Sequence, residues 1–480
     1  MSDYNGENTI LGELFSNYLS SSKLLLSQEA SMSFGDLEQL SQNMLQNKVS
    51  GSLVLSLIQN QPESLMGYLA LLKSEAVQML QSEDIAESVL SDLIYRFEPN
   101  FIWLPTKRSS ELPSYEKCIE AGDYCLCVNG TLNTKIHPDL AILLSTSGST
   151  GSPKFVRISK RNLLENAKAI VQYLDITSDE KPITTLPPSY TYGLSIIHSH
   201  ILAGASIIVS DKSLFDRSFW QLFNKLGATS FGGVPFHYEM LKKLKFSEME
   251  LPSLRTITQA GGRMDPGLIS EFADVCARSG VRLFTMYGQV EATSRMSFLD
   301  PSKLSKKAGS IGKAIPGGKL WLQDESGAIL ESPQEVGELF FEGPNVCMGY
   351  ATCHEDLLKP DLNCGVLATG DIAKMDEDGD FYIVGRKNRF LKLFGHRVNL
   401  HEVEIFLQKK GFIAACSGED DHLQIYIEGA DLEELSNARR TATQFLKLSN
   451  KACSAYTIPQ FPRTTSGKIK YSDLQPNDKE

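Results

Sequence analysis

This 480-residue chain lacks the overall basic excess that a nucleic-acid backbone favours: 47 Lys and Arg face 58 Asp and Glu, for a net charge of −11. That balance argues against nucleic acid as a partner and leaves room for an anion only in a local basic pocket. Long apolar runs are missing too: none approaches the ~20 residues that span a bilayer. The opening residues, Met1-Ser2-Asp3-Tyr4-Asn5-Gly6-Glu7, have neither a basic nor an apolar signal region. The expectation is a cytoplasmic protein without membrane insertion. Cysteine is sparse, with nine residues, an odd number lacking zinc-type paired spacing, which fits reduced thiols better than a disulfide framework. Cys125 and Cys127 read as neighbours in one strand, with thiols expected on opposite faces.

The chain is 42% hydrophobic, enough for two or more domains with substantial cores. Helical spacing over 33–46 and 82–95 alternates with short apolar strands such as 52–57. The rhythm continues with helices at 161–175, 219–226 and 267–279 and strands at 207–209, 255–258 and 282–286. This predicts an α/β fold, with a large N-terminal domain of layered α/β subdomains. From about Gly309, short strands with Gly-rich turns at 319–322 and 337–341 predict a β-barrel-like subdomain. A small α+β tail follows Arg386, with helices at 400–410 and 431–447. Two clusters read as structural. Asp376 to Asp380 is an Asp-Gly turn without a calcium loop's ligand set, and His198 and His200, two apart on a helix, share no face.

The densest chemical signal is Leu144-Ser145-Thr146-Ser147-Gly148-Ser149-Thr150-Gly151-Ser152-Pro153-Lys154. Glycines let backbone N–H groups approach a polyphosphate, hydroxyls add donors and Lys154 offsets charge. The P-loop spacing is absent, because Pro153 precedes Lys154 and an extended run, 155–159, follows instead of a helix. A polar linker is the alternative, but apolar segments at both ends, 141–144 and 155–156, make the loop a connection between two strands.

Four further segments stand in order behind this loop: Tyr287-Gly288-Gln289-Val290-Glu291, Thr369-Gly370-Asp371, the stretch from Gly385-Arg386 to Gly395-His396-Arg397, and Pro462-Arg463-Thr464-Thr465-Ser466-Gly467-Lys468. With the loop, they resemble the adenylate-forming enzymes: acyl-CoA synthetases, peptide-synthetase adenylation domains and luciferases. The resemblance covers nearly the whole chain, both ends being shorter than usual. It implies an AMP-binding domain over 1–387 and a mobile C-terminal domain over 388–480, with a hinge at Asn388. It also implies a ligase that uses ATP and Mg²⁺ to turn a small carboxylic acid into an acyl-adenylate. The acyl group then passes to a pantetheine thiol, on CoA or on a separate phosphopantetheinyl carrier protein.

By the same resemblance, Ser145, Thr146, Ser147, Gly148, Ser149, Thr150, Gly151 and Lys154 hold the phosphates, and Gly261, Tyr287, Gly288 and Gln289 line the nucleotide site. Glu291 binds Mg²⁺, Asp371 accepts from the ribose hydroxyls and Arg386 helps fix the ribose. Lys468 balances charge in the adenylation transition state, while Lys392, Gly395 and Arg397 serve the thioester step after a swing of the tail. Tyr190, Tyr192, Val234, Gln259 and Gly262 are candidate walls of the acid pocket, where polar Tyr190 and Gln259 favour a small or polar acid.

Three positions depart from the family pattern. Val290 stands where the family has Thr, which removes a hydroxyl aimed at the α-phosphate, and Thr293 is the nearby substitute to consider. Tyr190 stands at a gate that is often His, and the hinge pair usually written Asp-Asp is Asn388-Arg389. Two other readings compete. One is a stand-alone amino-acid adenylation enzyme loading a carrier, favoured by Gly-His-Arg-Val at 395–398, and the other is a nucleotide-binding protein that has lost catalysis.

Overall fold

The computed structural model describes residues 9–131, 134–145, 154–387, 389–394, 396–419, 421–449, 452–463 and 469–474. They form two compact units: the first takes the chain to 145, 154–320 and 341–367, and the second takes 321–340 and the described residues from 368 onward.

The first unit contains an eight-stranded sheet with the order Tyr350–Ala351, Phe155–Ser159, Leu140–Ser145, Val77–Ser82, Leu53–Ile58, Phe101–Pro105, Tyr124–Val128, Glu116–Ala121. Its centre is parallel, and Leu53–Ile58 is buried along its whole length, as a strand covered on both faces must be. Val54 and Ile58 enter one core while Leu53, Leu55 and Leu57 enter another. Helices Phe34–Gln46, Pro62–Lys73 and Glu87–Phe97 lie between these strands in the chain. The helix expected from 82 starts five residues later, because Ser82 still pairs with Ile58 and the ladder outcompetes an early helix start.

A second sheet in this unit has the order Ser230–Gly233, Thr256–Gln259, Arg282–Tyr287, Ser297–Leu299, Lys313–Ala314, with its first three strands parallel. One face packs Ile257 and Leu283 with Phe272 of helix Pro266–Ser279. The other packs Phe284 and Met286 with Ile170 and Leu174 of helix Lys160–Leu174 and with Tyr192 of helix Thr191–Leu202. Register places Gly233 beside Gln259 and Gln259 beside Thr285, so the C-terminal ends of parallel strands meet at one edge. Ligands of α/β sheets bind at such edges.

The second unit has a sheet ordered Ile329–Leu330, Lys319–Gln323, Val336–Glu342, Val366–Met375, Phe381–Arg386. These are the short strands expected beyond Gly309. The Asp376 carboxylate accepts from the backbone N–H of Asp378 and Asp380, closing the hairpin turn before Phe381. A ribbon of Phe390–Leu393 against His396–Asn399 follows, then a three-stranded sheet, Ala414–Glu419, His422–Glu428 and Cys453–Ile458. Helices Leu400–Lys409 and Leu432–Leu446 contribute Val403, Leu407, Leu435 and Ala438 to its core.

Two small expectations resolve here. Cys125 and Cys127 share a face, because residues two apart in a strand point the same way, and their sulfurs lie 3.8 Å apart in the core. His198 and His200 are both buried: His198 Nε2 meets the Tyr68 hydroxyl at 2.7 Å and His200 Nδ1 meets the Ile196 carbonyl at 2.8 Å. Burial pushes both imidazoles down, to about 3 and about 4, so they are neutral at pH 7.

Candidate active site

The strand Leu140–Ser145 pairs antiparallel with Phe155–Ser159, Ser145 opposite Phe155, so the hydroxyl- and glycine-rich segment joins two neighbouring strands as expected. Lys154 is exposed at its exit. Thr146, Ser147, Gly148, Ser149, Thr150 and Gly151 lie outside the described residues, as do Asn388, Gly395 and Lys468, and nothing is described of the Lys392 and Arg397 side chains.

Strand Arg282–Tyr287 delivers Tyr287, and the chain then turns through Gly288 and Gln289 into a short 3₁₀ turn, Val290–Ala292. Gly288 is obligatory here, since a Cβ would lie 1.6 Å from the Ser294 carbonyl oxygen. Gln289 Nε2 donates to the Tyr287 hydroxyl at 3.2 Å. The Glu291 carboxylate accepts from the Tyr350 hydroxyl at 2.9 Å, and Tyr350 pairs with Val156, two residues beyond Lys154. The exit of the loop and Glu291 are thereby tied to one corner of the first unit. Burial and the Glu291 charge push the Tyr350 phenol up, so it remains a donor at neutral pH.

Val290 packs against the main core. Thr293 does not replace the missing hydroxyl: it adopts a left-handed φ of 55° and donates to the Asn345 carbonyl at 2.7 Å. Asn345 in turn donates to the carbonyls of Ala292 and Arg295, at 2.7 and 2.9 Å, locking the turn behind Glu291.

The acid-pocket candidates gather at the edge of the second sheet. Tyr190 precedes helix Thr191–Leu202, and its ring stands 6.3 Å from that of Tyr192 in an edge arrangement. Gly261, at φ +83°, brings the backbone so close that a Cβ would meet the Tyr190 hydroxyl at 2.5 Å and Val234 at 3.1 Å. The buried Gln259 commits its amide nitrogen to the Ala260 and Gly262 carbonyls, at 3.3 and 2.9 Å, bracing this turn. Burial raises the Tyr190 phenol to about 12, which keeps it a neutral donor. Tyr192 donates to the Thr258 carbonyl at 2.7 Å, and Arg295 lies over its ring, 4.1 Å from the centroid. Sequence reasoning missed Tyr350, Asn345 and Arg295. The first two sit far from any motif in the chain, while Arg295 stands only four residues after Glu291 and offered a signal in its charge.

In the second unit, Asp371 and Arg386 face each other across adjacent strands, with Arg386 Nε 3.0 Å from the Asp371 carboxylate. Asp371 is nearly buried while the arginine side chain is 59% exposed. Gly370, at φ +70°, turns the strand, and Thr369 Oγ1 accepts from the Asp371 N–H at 3.0 Å and donates to the Leu339 carbonyl at 2.8 Å. Thr369, Gly370, Arg386 and Lys387 line an open hollow beside the pair. A carboxylate at the rim of a hollow is a suitable acceptor for a diol.

The donor chemistry fits a magnesium ion. Glu291, whose carboxylate is oriented by Tyr350, would supply one hard oxygen ligand, and Mg²⁺ is ordinarily held by one or two carboxylates together with substrate phosphates. Bound there, the ion would neutralise phosphate charge.

No helix among the described residues is long and apolar enough to cross a membrane. The chain resembles the oxalate–CoA ligase of Arabidopsis thaliana, 28% identical over 351 residues that cover 70% of this chain and 67% of that protein. It is equally similar to the indoleacetate–CoA ligase of Aromatoleum aromaticum, 28% identical over 355 residues covering 71% and 68%. Its fold matches the O-succinylbenzoate coenzyme A synthetase of Bacillus subtilis in complex with AMP, with a TM-score of 0.77 at 20% identity over 98% of both chains. The profile of the AMP-binding enzymes matches residues 25–351, and the chain belongs to that family.

Proposed function

We propose that the protein is an AMP-forming acid–thiol ligase that activates a small carboxylic acid with ATP and passes the acyl group to the thiol of CoA. The observation that carries this reading is the Asp371–Arg386 pair, which sets a carboxylate beside an open hollow, on the motif that the family resemblance assigns to the ribose. In the first step a substrate carboxylate oxygen attacks the α-phosphorus of ATP, the α–β bridging bond breaks and pyrophosphate leaves. This chain supplies the hydroxyls and backbone of Ser145 to Gly151 and the cation of Lys154 for the phosphates, Glu291 for Mg²⁺, and Asp371 and Arg386 for the ribose.

Lys468 provides the cation that balances charge developing between the carboxylate and the bridging oxygen. In the second step the thiol loses its proton, its sulfur bonds to the acyl carbon and AMP leaves. Lys392, Gly395 and Arg397 belong to this step and follow in sequence the Asn388 hinge, which bounds the domains 1–387 and 388–480.

The test is carboxylate-dependent AMP and pyrophosphate formation over a panel of fatty, aryl, hydroxy, amino and dicarboxylic acids, with hydroxylamine trapping the adenylate. CoA and a phosphopantetheinyl carrier protein are supplied in separate arms. A hit that disappears in Lys468→Ala, while supplied acyl-adenylate still reacts with the thiol, supports the assignment. ATP binding without pyrophosphate release for any acid would refute it in favour of a degenerate nucleotide-binding protein.

A further inference from the structure

Arg389, the residue after Asn388, puts a cation where the family hinge pattern has an acid, and the structure turns that cation inward. Its Nη2 donates to one oxygen of Glu404 at 2.7 Å and to the Cys416 carbonyl at 2.9 Å, and its guanidinium lies 3.7 Å from the centre of the Tyr471 ring. The Tyr471 hydroxyl donates to the other Glu404 oxygen at 3.4 Å. Each of the three side chains therefore touches the other two. The Glu404 carboxylate is held further by the Cys416 N–H at 2.7 Å and by His401 at 3.3 Å. A planar guanidinium that pairs through its edge and stacks through its face fixes both the place and the tilt of the ring.

Ion pairing with Glu404 already answers the buried charge of Arg389 and does not call for the ring. What the ring adds is a connection along the chain. Tyr471 stands three residues after Lys468, a length of at most about 10 Å. Described contacts brace the chain on either side of 464–468: Arg463 bridges Ile469 antiparallel, and the Lys470 N–H donates to the Pro462 carbonyl at 2.8 Å. Ile469 and Tyr471 pack against Tyr456, Ile458, Phe461 and Leu474. The ring beneath Arg389 thus fastens the exit of the lysine's segment to the residue that follows the hinge.

We infer that Arg389 and Tyr471 are positioning residues for Lys468: the guanidinium, steadied by Glu404, clamps the Tyr471 ring and ties the lysine's segment to the start of the tail, so that lysine and tail are carried as one piece. The role of Lys468 itself rests on the ligase reading. Misplacing a group by about 1 Å is enough to cost ~10²-fold in rate, and the effect belongs to adenylation alone, the step that Lys468 serves.

The experiment separates the two half-reactions in Tyr471→Leu and Tyr471→Phe. Pyrophosphate release is followed with ATP, Mg²⁺ and the acid of the panel above that the wild type uses best, thioester formation with the synthetic adenylate of that acid and CoA, and amide hydrogen exchange over 459–474 without any substrate. In Tyr471→Leu the expected result is pyrophosphate release slowed at least tenfold through kcat, thioester formation within twofold of wild type, and faster exchange of the Lys470 amide with helix Leu400–Lys409 unchanged. Tyr471→Phe keeps the ring and should recover most of the lost rate. Arg389→Lys, which keeps the charge for Glu404 and loses the planar stack, serves if the leucine variant does not fold, with the same asymmetry expected. Equal loss in both half-reactions, or loss in neither, overturns the inference and leaves the ligase intact. Silence of the wild type across the panel refutes the ligase; a faster Lys470 amide then still supports the clamp, and an unchanged one overturns both.

Discussion

The Tyr350 hydroxyl donates to the Glu291 carboxylate at 2.9 Å, from a strand that also pairs with the residues just beyond Lys154. Tyr350→Phe removes that donor and keeps the ring. A hydrogen bond to a charged group is worth ~1.5–3 kcal/mol, less at a half-exposed site, so we expect about a threefold to tenfold rise in KM for MgATP. Titrating Mg²⁺ at fixed ATP checks this, and an unchanged Mg²⁺ dependence would separate Tyr350 from the metal.

Val290→Thr should speed adenylation. The native turn contributes no hydroxyl at this position, because Thr293 is committed to the Asn345 carbonyl. Restoring a hydrogen bond to a charged oxygen should raise the rate roughly tenfold, with little change in melting temperature. Single-turnover pyrophosphate release reports that step alone, and a slower variant would mean that the pocket has adapted to valine.

Gly288→Ala should abolish activity. With the Ser294 carbonyl oxygen 1.6 Å from an added Cβ, the turn carrying Glu291 must move. Because Gly288 lies at the end of a strand and not in the core, the variant should still fold. Circular dichroism near wild type with turnover reduced by about a hundredfold or more is the expected pair of results.

Arg389 anchors the C-terminal core: it pairs with Glu404 at 2.7 Å, donates to the Cys416 carbonyl at 2.9 Å and stacks 3.7 Å from the Tyr471 ring centroid. Burial alone would raise the Glu404 carboxyl, but the His401 hydrogen bond, the Arg389 charge and the Cys416 N–H outweigh it and hold the group below 4.5. A depressed folded value means the stabilisation is present above about pH 4.5 and is lost as pH falls through that folded value. Arg389→Met leaves a buried anion and should destabilise this core by ~3–5 kcal/mol at pH 7, with the deficit narrowing toward pH 4 as Glu404 protonates. Hydrogen exchange of helix Leu400–Lys409 in the full chain follows it, and a deficit that does not change with pH would contradict the assignment.

Much of this architecture was legible because apolar period and motif order are local properties. The helices Pro266–Ser279 and Leu400–Lys409 begin and end within a residue of the reading made from spacing. The helix expected over 82–95 starts only at Glu87, because the pairing of Ser82 with Ile58 is set by a strand far back in the chain and leaves no trace in local spacing. Side-chain commitments were illegible for the same reason. The Thr293 hydroxyl and the Gln259 amide are spent on carbonyls, and the partner of Glu291 comes from a strand some 60 residues downstream, with |i−j| of 59. Arg295 was visible as a charge, but its packing among Tyr192, Ser195 and Met286 was not.

Arg157, buried in the first unit, donates to the carbonyls of Met348, Asp356, Lys359 and Pro360, and that fork also orders events during synthesis. Its acceptors lie 191 to 203 residues downstream, and the same stretch supplies the edge strand beside Phe155 and Val156. At ribosomal speeds of about 5–20 residues per second, that strand waits roughly 10–40 s before its guanidinium finds oxygen. Through that interval the nascent chain exposes an unpaired edge and an unsatisfied cation, a window in which chaperone engagement would be decided.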